Sequence, residues 1–226
     1  ESMAAALQDY GRAIIVGTSP STFGKGTVQR FFALDPVVPQ SYKELGELGS
    51  MKITIQKFFR IDGGSTQLKG VIPDIILPGL YSYTRVGEKD EAYPMEWTEI
   101  AHVNYKKGTI KKLDKINKKS AKRVANNEIF AKMDQRGQWY KSLQEDTEVP
   151  LNLKNYRAKQ DAYDKDAKQY ENINQPIEDM DIRVLAADMA VLEADTLRAK
   201  SIKNWHKNLK KDPCINESVQ IIGDWE

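Results

Sequence analysis

Cysteine is scarce in this chain, with Cys214 the single one among 226 residues. A lone cysteine cannot close an internal disulfide or build a cysteine-based metal site, so both are excluded. The two histidines, His102 and His206, are far apart, and neither has a second ligand at zinc-motif spacing. We expect both histidines at the surface or at helix ends, and we expect no metal.

Long apolar runs are also missing. The longest is five residues, Met3–Leu7, whereas a membrane-spanning helix needs about 18. A spanning helix is therefore excluded. The first ten residues contain no basic segment followed by an apolar stretch, so no signal peptide is visible and we expect the chain to begin inside a longer protein.

Charge of either sign is nearly balanced. The chain has 34 basic and 32 acidic residues, which gives a formal net charge of +2. Such a total gives no strong bias toward nucleic acid or anionic membranes. Hydrophobic residues make up 40% of the chain, enough to build a core.

Composition changes near residue 85. About 19% of residues 1–85 are charged, against about 35% of residues 86–226, and ten of the fourteen glycines fall in the first part. Glycine-rich turns between short apolar runs indicate α/β structure, and long polar stretches with periodic apolar residues indicate helices. The sequence therefore predicts an α/β part over residues 1–85 and a mainly α-helical domain over residues 86–226.

Short apolar segments predict the elements of the first part. They are the end of a helix at Ala4–Tyr10, a buried strand at Arg12–Gly17, a strand at Thr27–Leu34, a strand at Lys52–Ile61 and a closing segment at Val71–Pro78. Period-two counting places Ile53, Ile55, Phe59 and Ile61 on one face of the fourth segment. A turn follows at Asp62–Gly64.

Apolar residues at helical spacing predict two amphipathic stripes in the second part. One contains Ile110, Leu113, Ile116, Val124 and Met133, and the other contains Leu185, Met189, Leu192, Thr196, Ala199 and Ile202. Between them Tyr156, Tyr163 and Tyr170 recur every seven residues and predict a seam that needs a partner surface. We expect Trp97, Trp139, Trp205 and Trp225 to anchor the places where helices meet.

The sharpest local feature is the segment Gly24–Gln29. It is not a phosphate-binding loop, because Ser19 stands where the upstream glycine is required and Gly26 stands where magnesium needs a hydroxyl. A lysine between two glycines can approach other main chain and lose solvent. Desolvation favours neutral lysine, which is the form that acts as a base.

A collinear set of short stretches accompanies this segment. They are Glu1, Ala4–Gly17, Thr22–Gln29, Gly49–Ser50, Thr54–Phe58 and Gly63–Ile75. Together they resemble the active-site region of the tail-specific, or carboxyl-terminal processing, serine proteases. The polar helical remainder, including Asp212–Val219, is similar to the extension that follows the protease core in the long, periplasmic members.

The resemblance implies a fold and an activity. Residues 1–85 would be the end of a crotonase/ClpP-like α/β protease core, and residues 86–226 the helical C-terminal domain. The whole protein would be a periplasmic serine endopeptidase that uses a Ser/Lys dyad on proteins recognised by their exposed C-terminal tails, without a cofactor.

Motif positions imply the site residues. Lys25 matches the general base, and Gln29 matches the residue that helps to position it. Glu1 matches the glutamate of a Ser-Ala-Ser-Glu segment, so the nucleophilic serine would lie two residues before this chain begins, and Ser2 is a helix start. We therefore predict that this chain alone is inactive. Gln29 lies four residues from Lys25, about 13 Å along a straight strand, so contact between them requires a bend, and the loop Thr18–Thr22 is longer than the family pattern.

The stretch Lys106–Arg123 leaves an alternative open. It has nine basic residues and one acidic residue, Asp114, which could form a nucleic-acid-binding face. Arginine is scarce there and aromatics are not interleaved after Tyr105. We favour a solvated helix face or charge pairing with acidic segments such as Glu145–Glu148 and Glu178–Asp181, and we expect no nucleic-acid binding. A further alternative is that residues 86–226 form a non-catalytic module that docks an adaptor protein.

Overall fold

The structure is a computed structural model that describes residues 1–39, 42, 46–84 and 86–225. In chain order its helices and strands are α1 (Ser2–Asp9), β1 (Val16–Gly17), β2 (Thr27–Ala33), β3 (Ser50–Lys57), β4 (Ile75–Ile76), α2 (Leu113–Ala125), α3 (Glu128–Glu145), α4 (Leu153–Lys168), α5 (Ala186–Ala194), α6 (Thr196–Leu209) and α7 (Pro213–Trp225). None of these helices is long and apolar enough to cross a membrane.

The chain forms two compact units. The first consists of residues 1–15, 20–73 and 85–110, and the second of residues 16–19, 74–84 and 111–226. Both therefore combine stretches that are distant in sequence. The sequence predicts that residues 86–226 fold independently. A division by contacts does not measure independent folding, so the boundary after residue 85 stays a prediction.

Helix α1 begins the first unit. It is built around an alanine run, and alanine has the highest helix propensity. Ala5 and Asp9 are buried and lie one turn apart on the same face. The Nε of Arg60 donates to Asp9 Oδ2 at 3.0 Å, and this pairing with Asp9 raises the pKa of the guanidinium. The helix predicted at Ala4–Tyr10 is confirmed.

Strands β2 and β3 form an antiparallel pair in the first unit. Val28 pairs with Gln56 but Gln29 pairs with Thr54, so Ile55 is the extra residue of a bulge. The strand predicted at Thr27–Leu34 is confirmed, whereas the strand predicted at Lys52–Ile61 ends at Lys57. Ile53 is 37% exposed and Ile55 is 52% exposed. The predicted apolar face is wrong, because the bulge at Ile55 interrupts the two-residue period and Phe59 and Ile61 lie beyond the end of the strand.

Strands β1 and β4 belong to the second unit. They pair in parallel, with Val16 opposite Ile75 and Gly17 opposite Ile76. The prediction of a buried strand over Arg12–Gly17 is wrong in extent, because strand geometry covers the last two residues and these are half-buried. In the closing segment Ile75 and Leu77 are buried while Ile76 is exposed. This is the alternation of a strand with one covered face.

Each predicted amphipathic stripe is divided between two helices. The first is split between α2 and α3, where the Asn127 side chain accepts a bond from the Ile129 amide at 2.8 Å and caps α3. The second is split between α5 and α6, where Asp195 accepts from the Arg198 amide at 2.9 Å. The short polar residues therefore outweighed the apolar period and started new helices.

The predicted tyrosine seam is wrong. Helix α4 ends at Lys168, so Tyr170 follows the helix, and its ring packs on Trp139 with centroids 5.6 Å apart. Tyr163 instead donates to Asp146 at 2.5 Å, and Tyr156 is exposed. The three side chains thus have three different environments, because the period continued beyond the end of the helix.

The tryptophans also differ from the expectation. Trp139 packs in the second unit as predicted, but Trp205 is 55% exposed and is no anchor. Trp97 lies outside the helices and donates its Nε1–H to the Ser65 carbonyl at 2.9 Å. Trp225, at the end of α7, is also exposed.

Helices α2 and α7 contact each other and are joined by an ionic cluster, and each helix buries one isoleucine. Ile116 and Ile221 are buried. Arg123 donates to the buried Glu217 carboxylate, with Nη2 at 2.7 Å from Oε1, and Nη1 to Asp224 Oδ2 at 2.6 Å. Lys119 Nζ lies 2.5 Å from the other Asp224 oxygen. Charge pairing within the chain is confirmed for these two cations, although the acidic partners come from α7 and not from the segments proposed in the sequence.

Candidate active site

The loop that carries Lys25 is tied to the start of α1 by the Glu1 carboxylate. Glu1 Oε1 accepts the Gly24 backbone N–H at 2.6 Å and the Thr22 hydroxyl, and Oε2 accepts the Lys25 backbone N–H at 3.0 Å. A carboxylate that accepts several donors at once makes charge-assisted bonds. The residue at the helix start thus fixes the main chain on the N-terminal side of the candidate base.

The two glycines around Lys25 are required by the backbone and by close packing. Gly24 has φ +86°, a conformation that side chains with a Cβ rarely adopt. A Cβ on Gly26 would lie 2.5 Å from Ser65 Oγ and 2.6 Å from the Gln67 backbone nitrogen. The loop therefore lies directly against the segment Ser65–Gln67.

The side chain of Lys25 points to an acidic residue far along the sequence. Its Nζ lies 3.4 Å from Glu88 Oε1 and 3.5 Å from Oε2. The lysine side chain is 37% exposed and the glutamate side chain 10%. The loss of solvent expected for a lysine between two glycines is therefore partial, and an ion pair takes its place.

Gln67 connects the loop to Glu88. The side chain is completely buried, and its Oε1 accepts the Gly26 backbone N–H at 2.8 Å. Its Nε2 donates to Glu88 Oε1 at 3.1 Å and to the Met95 carbonyl at 3.0 Å. Both ends of the amide are therefore satisfied, as a buried polar group requires.

The Glu88 backbone is held as well. Its N–H donates to the Phe23 carbonyl at 2.7 Å. Glu88 opens a short 3₁₀ turn, Glu88–Asp90, whose other two residues are exposed. Glu88 is thus linked twice to the loop that carries Lys25: its backbone N–H donates to Phe23, and its carboxylate contacts the Lys25 side chain.

Gln29 lies apart from this group of residues. It is exposed in β2, and its Nε2 donates to Thr54 Oγ1 on the neighbouring strand at 3.4 Å. The structure therefore places Gln29 against β3, while the Lys25 ammonium contacts Glu88. The catalytic and positioning roles assigned to Lys25 and Gln29 stay predictions.

Other nucleophile and metal candidates are weaker. The Cys214 thiol is half-buried, and burial together with Asp212 raises its pKa to about 11. Such a thiol is protonated at neutral pH and is a poor nucleophile. Within residues 1–39, 42, 46–84 and 86–225, no cluster of histidine, cysteine and acidic side chains could hold a metal ion. His102 is exposed, and His206 packs beside Trp205.

Sequence reasoning missed two members of this site. Gln67 belongs to the motif stretch Gly63–Ile75, and Glu88 lies in the part that the sequence assigns to the helical domain. Glu88 is 63 residues from Lys25 and Gln67 is 41 residues from Gly26. No local signal marks Glu88, since it is one of three acidic residues in Glu88–Glu91 and a single sequence does not distinguish it from a surface residue.

Comparison with known proteins identifies the family. Residues 1–77 match the model of peptidase family S41, and residues 81–226 match the model described as the C-terminal domain of tail specific protease. The tail-specific protease of Haemophilus influenzae is 35% identical over 180 residues, which are 77% of this chain and 25% of that protein. The carboxy-terminal-processing protease of Bartonella bacilliformis is 39% identical over 77 residues, which are 34% of this chain and 15% of that protein.

The matched stretches span a quarter or less of these relatives. The two family models follow one another along the chain with a gap of three residues between them. The resemblance drawn from the motifs is thus confirmed, and the chain belongs to the tail-specific protease family.

Proposed function

We propose that the whole protein containing this chain is a serine endopeptidase in which Lys25 is the general base of a Ser/Lys dyad. The observation that carries the proposal is the contact of the Glu1 carboxylate with the backbone of Gly24 and Lys25. By motif position Glu1 ends the Ser-Ala-Ser-Glu segment that carries the nucleophile. Counted along Ser-Ala-Ser-Glu, the serines stand one and three positions before Glu1, not two, and both lie within about 11 Å of it. A serine there is close to the loop that carries Lys25.

The proposed chemistry is acyl transfer to serine. The neutral Lys25 amine takes the hydroxyl proton as the serine oxygen bonds to the peptide carbonyl carbon. The resulting ammonium returns that proton to the leaving amine when the C–N bond breaks. Water then hydrolyses the acyl ester, with lysine again taking and returning one proton, so that the enzyme ends in its starting state.

Gln29 is proposed as a positioning residue on its motif position. Its 3.4 Å bond to Thr54 is long for a hydrogen bond and therefore weak. The exposed side chain can leave this bond at small cost. Contact with Lys25 requires a bend between the two residues, where Gly26 is the residue without a side chain.

The proposal for the whole protein extends to its fold, location and substrates. We propose that residues 1–85 complete a crotonase/ClpP-like core, that the protein acts in the periplasm, and that it cleaves proteins recognised by exposed C-terminal tails. Support for the substrate class is the naming of the two relatives as tail-specific and carboxy-terminal-processing proteases. No cofactor takes part in this proposal.

A fluorophosphonate probe tests the proposed dyad in the whole protein. The probe bonds to activated serine oxygens, and mass mapping identifies the modified residue. We expect modification of one serine just upstream of Glu1 in the native protein and none in the Lys25→Ala variant. Modification at a different serine, or equal modification of the variant, would contradict the assignment.

A further inference from the structure

A buried carboxylate lies against the candidate base without a role in the dyad itself. The Glu88 side chain is 10% exposed, and its two oxygens are nearly equidistant from Lys25 Nζ, at 3.4 and 3.5 Å. Its further donor is Gln67 Nε2 at 3.1 Å. A buried charge is costly unless it is paired and hydrogen-bonded, so this carboxylate needs both partners.

We propose that Glu88 is a positioning residue for Lys25, holding Nζ in place and stabilising the ammonium that forms when the serine proton is transferred. The inference rests on the proposed function of Lys25 as base. It follows the logic of the carboxylate in a Ser-His-Asp triad, which orients the base and stabilises its protonated form without itself taking the proton. Glu88 therefore acts through Lys25 and does not touch substrate.

Gln67 sets the distance between the two charged groups. Its buried amide is bonded at one end to the Gly26 N–H and at the other to Glu88 Oε1. The single rigid amide of Gln67 thereby holds both Gly26, the residue after Lys25, and the Glu88 carboxylate. The Glu88 N–H bond to Phe23 fixes the same spacing from the opposite side of the loop.

The charged groups near Lys25 imply that removal of the Glu88 charge changes the pH dependence of kcat/KM. Glu88 faces the ammonium, and Glu1 accepts from the Lys25 backbone N–H. A carboxylate beside an amine stabilises the ammonium form over the neutral form from which catalysis begins. Removal of the Glu88 charge should therefore move the rise of kcat/KM with pH toward acid, while lowering kcat because the developing ammonium loses its counter-charge.

The test compares Glu88→Gln with the native whole protein on a fluorescently labelled unfolded substrate. We expect kcat to fall about 100-fold with KM within about twofold, together with the acid shift of the pH profile. Glu91→Gln is the matched control, since Glu91 is an exposed carboxylate three residues further on. It should leave kcat and the pH profile at native values.

Two outcomes in Glu88→Gln would overturn the inference: native kcat, or a reduced kcat with an unmoved pH profile, which indicates a structural role alone because this variant removes the charge. If Glu88→Gln does not fold, Glu88→Asp replaces it. Its carboxylate is shorter by one methylene, so we expect kcat about 10-fold below native with the native pH profile. A folded Glu88→Asp with native kcat would overturn the inference.

A Lys25→Ala arm separates this inference from the proposed function. An inactive Lys25→Ala beside a fully active Glu88→Gln rejects the role of Glu88 and leaves the dyad standing. An active Lys25→Ala rejects the dyad, and the role of Glu88 with it.

Discussion

Replacement of Arg123 by methionine should destabilise the packing of α2 against α7. Methionine keeps the apolar stem of the side chain and removes the guanidinium. The substitution leaves the Glu217 carboxylate, whose side chain is 6% exposed, without the three bonds of 2.7–3.1 Å that it accepts from Arg123. Breaking a buried pair in this way costs about 3–5 kcal/mol.

We expect a value near 3 kcal/mol, because Arg123 itself is 32% exposed and water can reach part of the site. For a chain of this size the loss corresponds to a fall in Tm of about 6–12 °C. Thermal and urea unfolding followed by circular dichroism measure both quantities. Lys118→Met on the exposed face of α2 is the matched control and should stay within about 0.5 kcal/mol of native.

The double variant Arg123→Met with Glu217→Gln isolates the pair. Because neither Arg123 nor Glu217 then carries a charge, the double variant should lose less free energy of unfolding than the two single variants together, by about 1 kcal/mol or more. Hydrogen bonds from Lys119 and Arg123 lower the pKa of Asp224, so the stability this residue adds is present above about pH 3.9 and is lost as pH falls through its lowered pKa. A single variant within 1 kcal/mol of native, or losses that simply add, would refute this reasoning.

Residues 86–226 expressed alone should remain helical and unfold cooperatively by circular dichroism, and a disordered spectrum would remove the boundary after residue 85. The stretch Lys106–Arg123 should not bind DNA at low salt, because two of its cations are already paired with acids of α7; micromolar binding that weakens about a thousandfold between 50 and 200 mM salt would contradict this. The Cys214 thiol should react slowly with a disulfide reagent at pH 8 and faster above pH 10, because its pKa is raised to about 11, whereas pH-independent rapid reaction would contradict the burial of the sulfur.

Local features of the fold were predictable from the sequence where one short-range effect dominated. The alanine run fixed α1, and the apolar run at Thr27–Leu34 predicted β2 to within one residue. The predictions were wrong where an apolar repeat was extended past a residue that ends a helix or interrupts a strand. Asp195 capped a new helix inside one stripe, and the bulge at Ile55 broke the alternation of β3.

The candidate site was predictable only in its local part. Gly24–Gln29 identified Lys25, because the glycines and the lysine are neighbours in sequence. Glu88 and Gln67 could not be assigned, since their contacts with the loop depend on folding over 41 to 63 residues. Gln29 is also a neighbour of Lys25 in the motif, but its motif position does not predict its hydrogen bond to Thr54 on the adjacent strand.

Substitution of Lys25 in the whole protein tests the proposed role of this residue as the base. Turnover of a labelled unfolded protein should be abolished in Lys25→Ala and in Lys25→Arg, since a guanidinium stays protonated, and reduced less in Gln29→Ala. Lys52→Ala, which removes an exposed lysine of β3, should keep native activity and serves as the control. Residues 1–226 alone should show no activity. Native Tm with lost turnover in Lys25→Ala is the predicted result, and full turnover in that variant, or proteolysis by residues 1–226 after rigorous purification, would contradict the account.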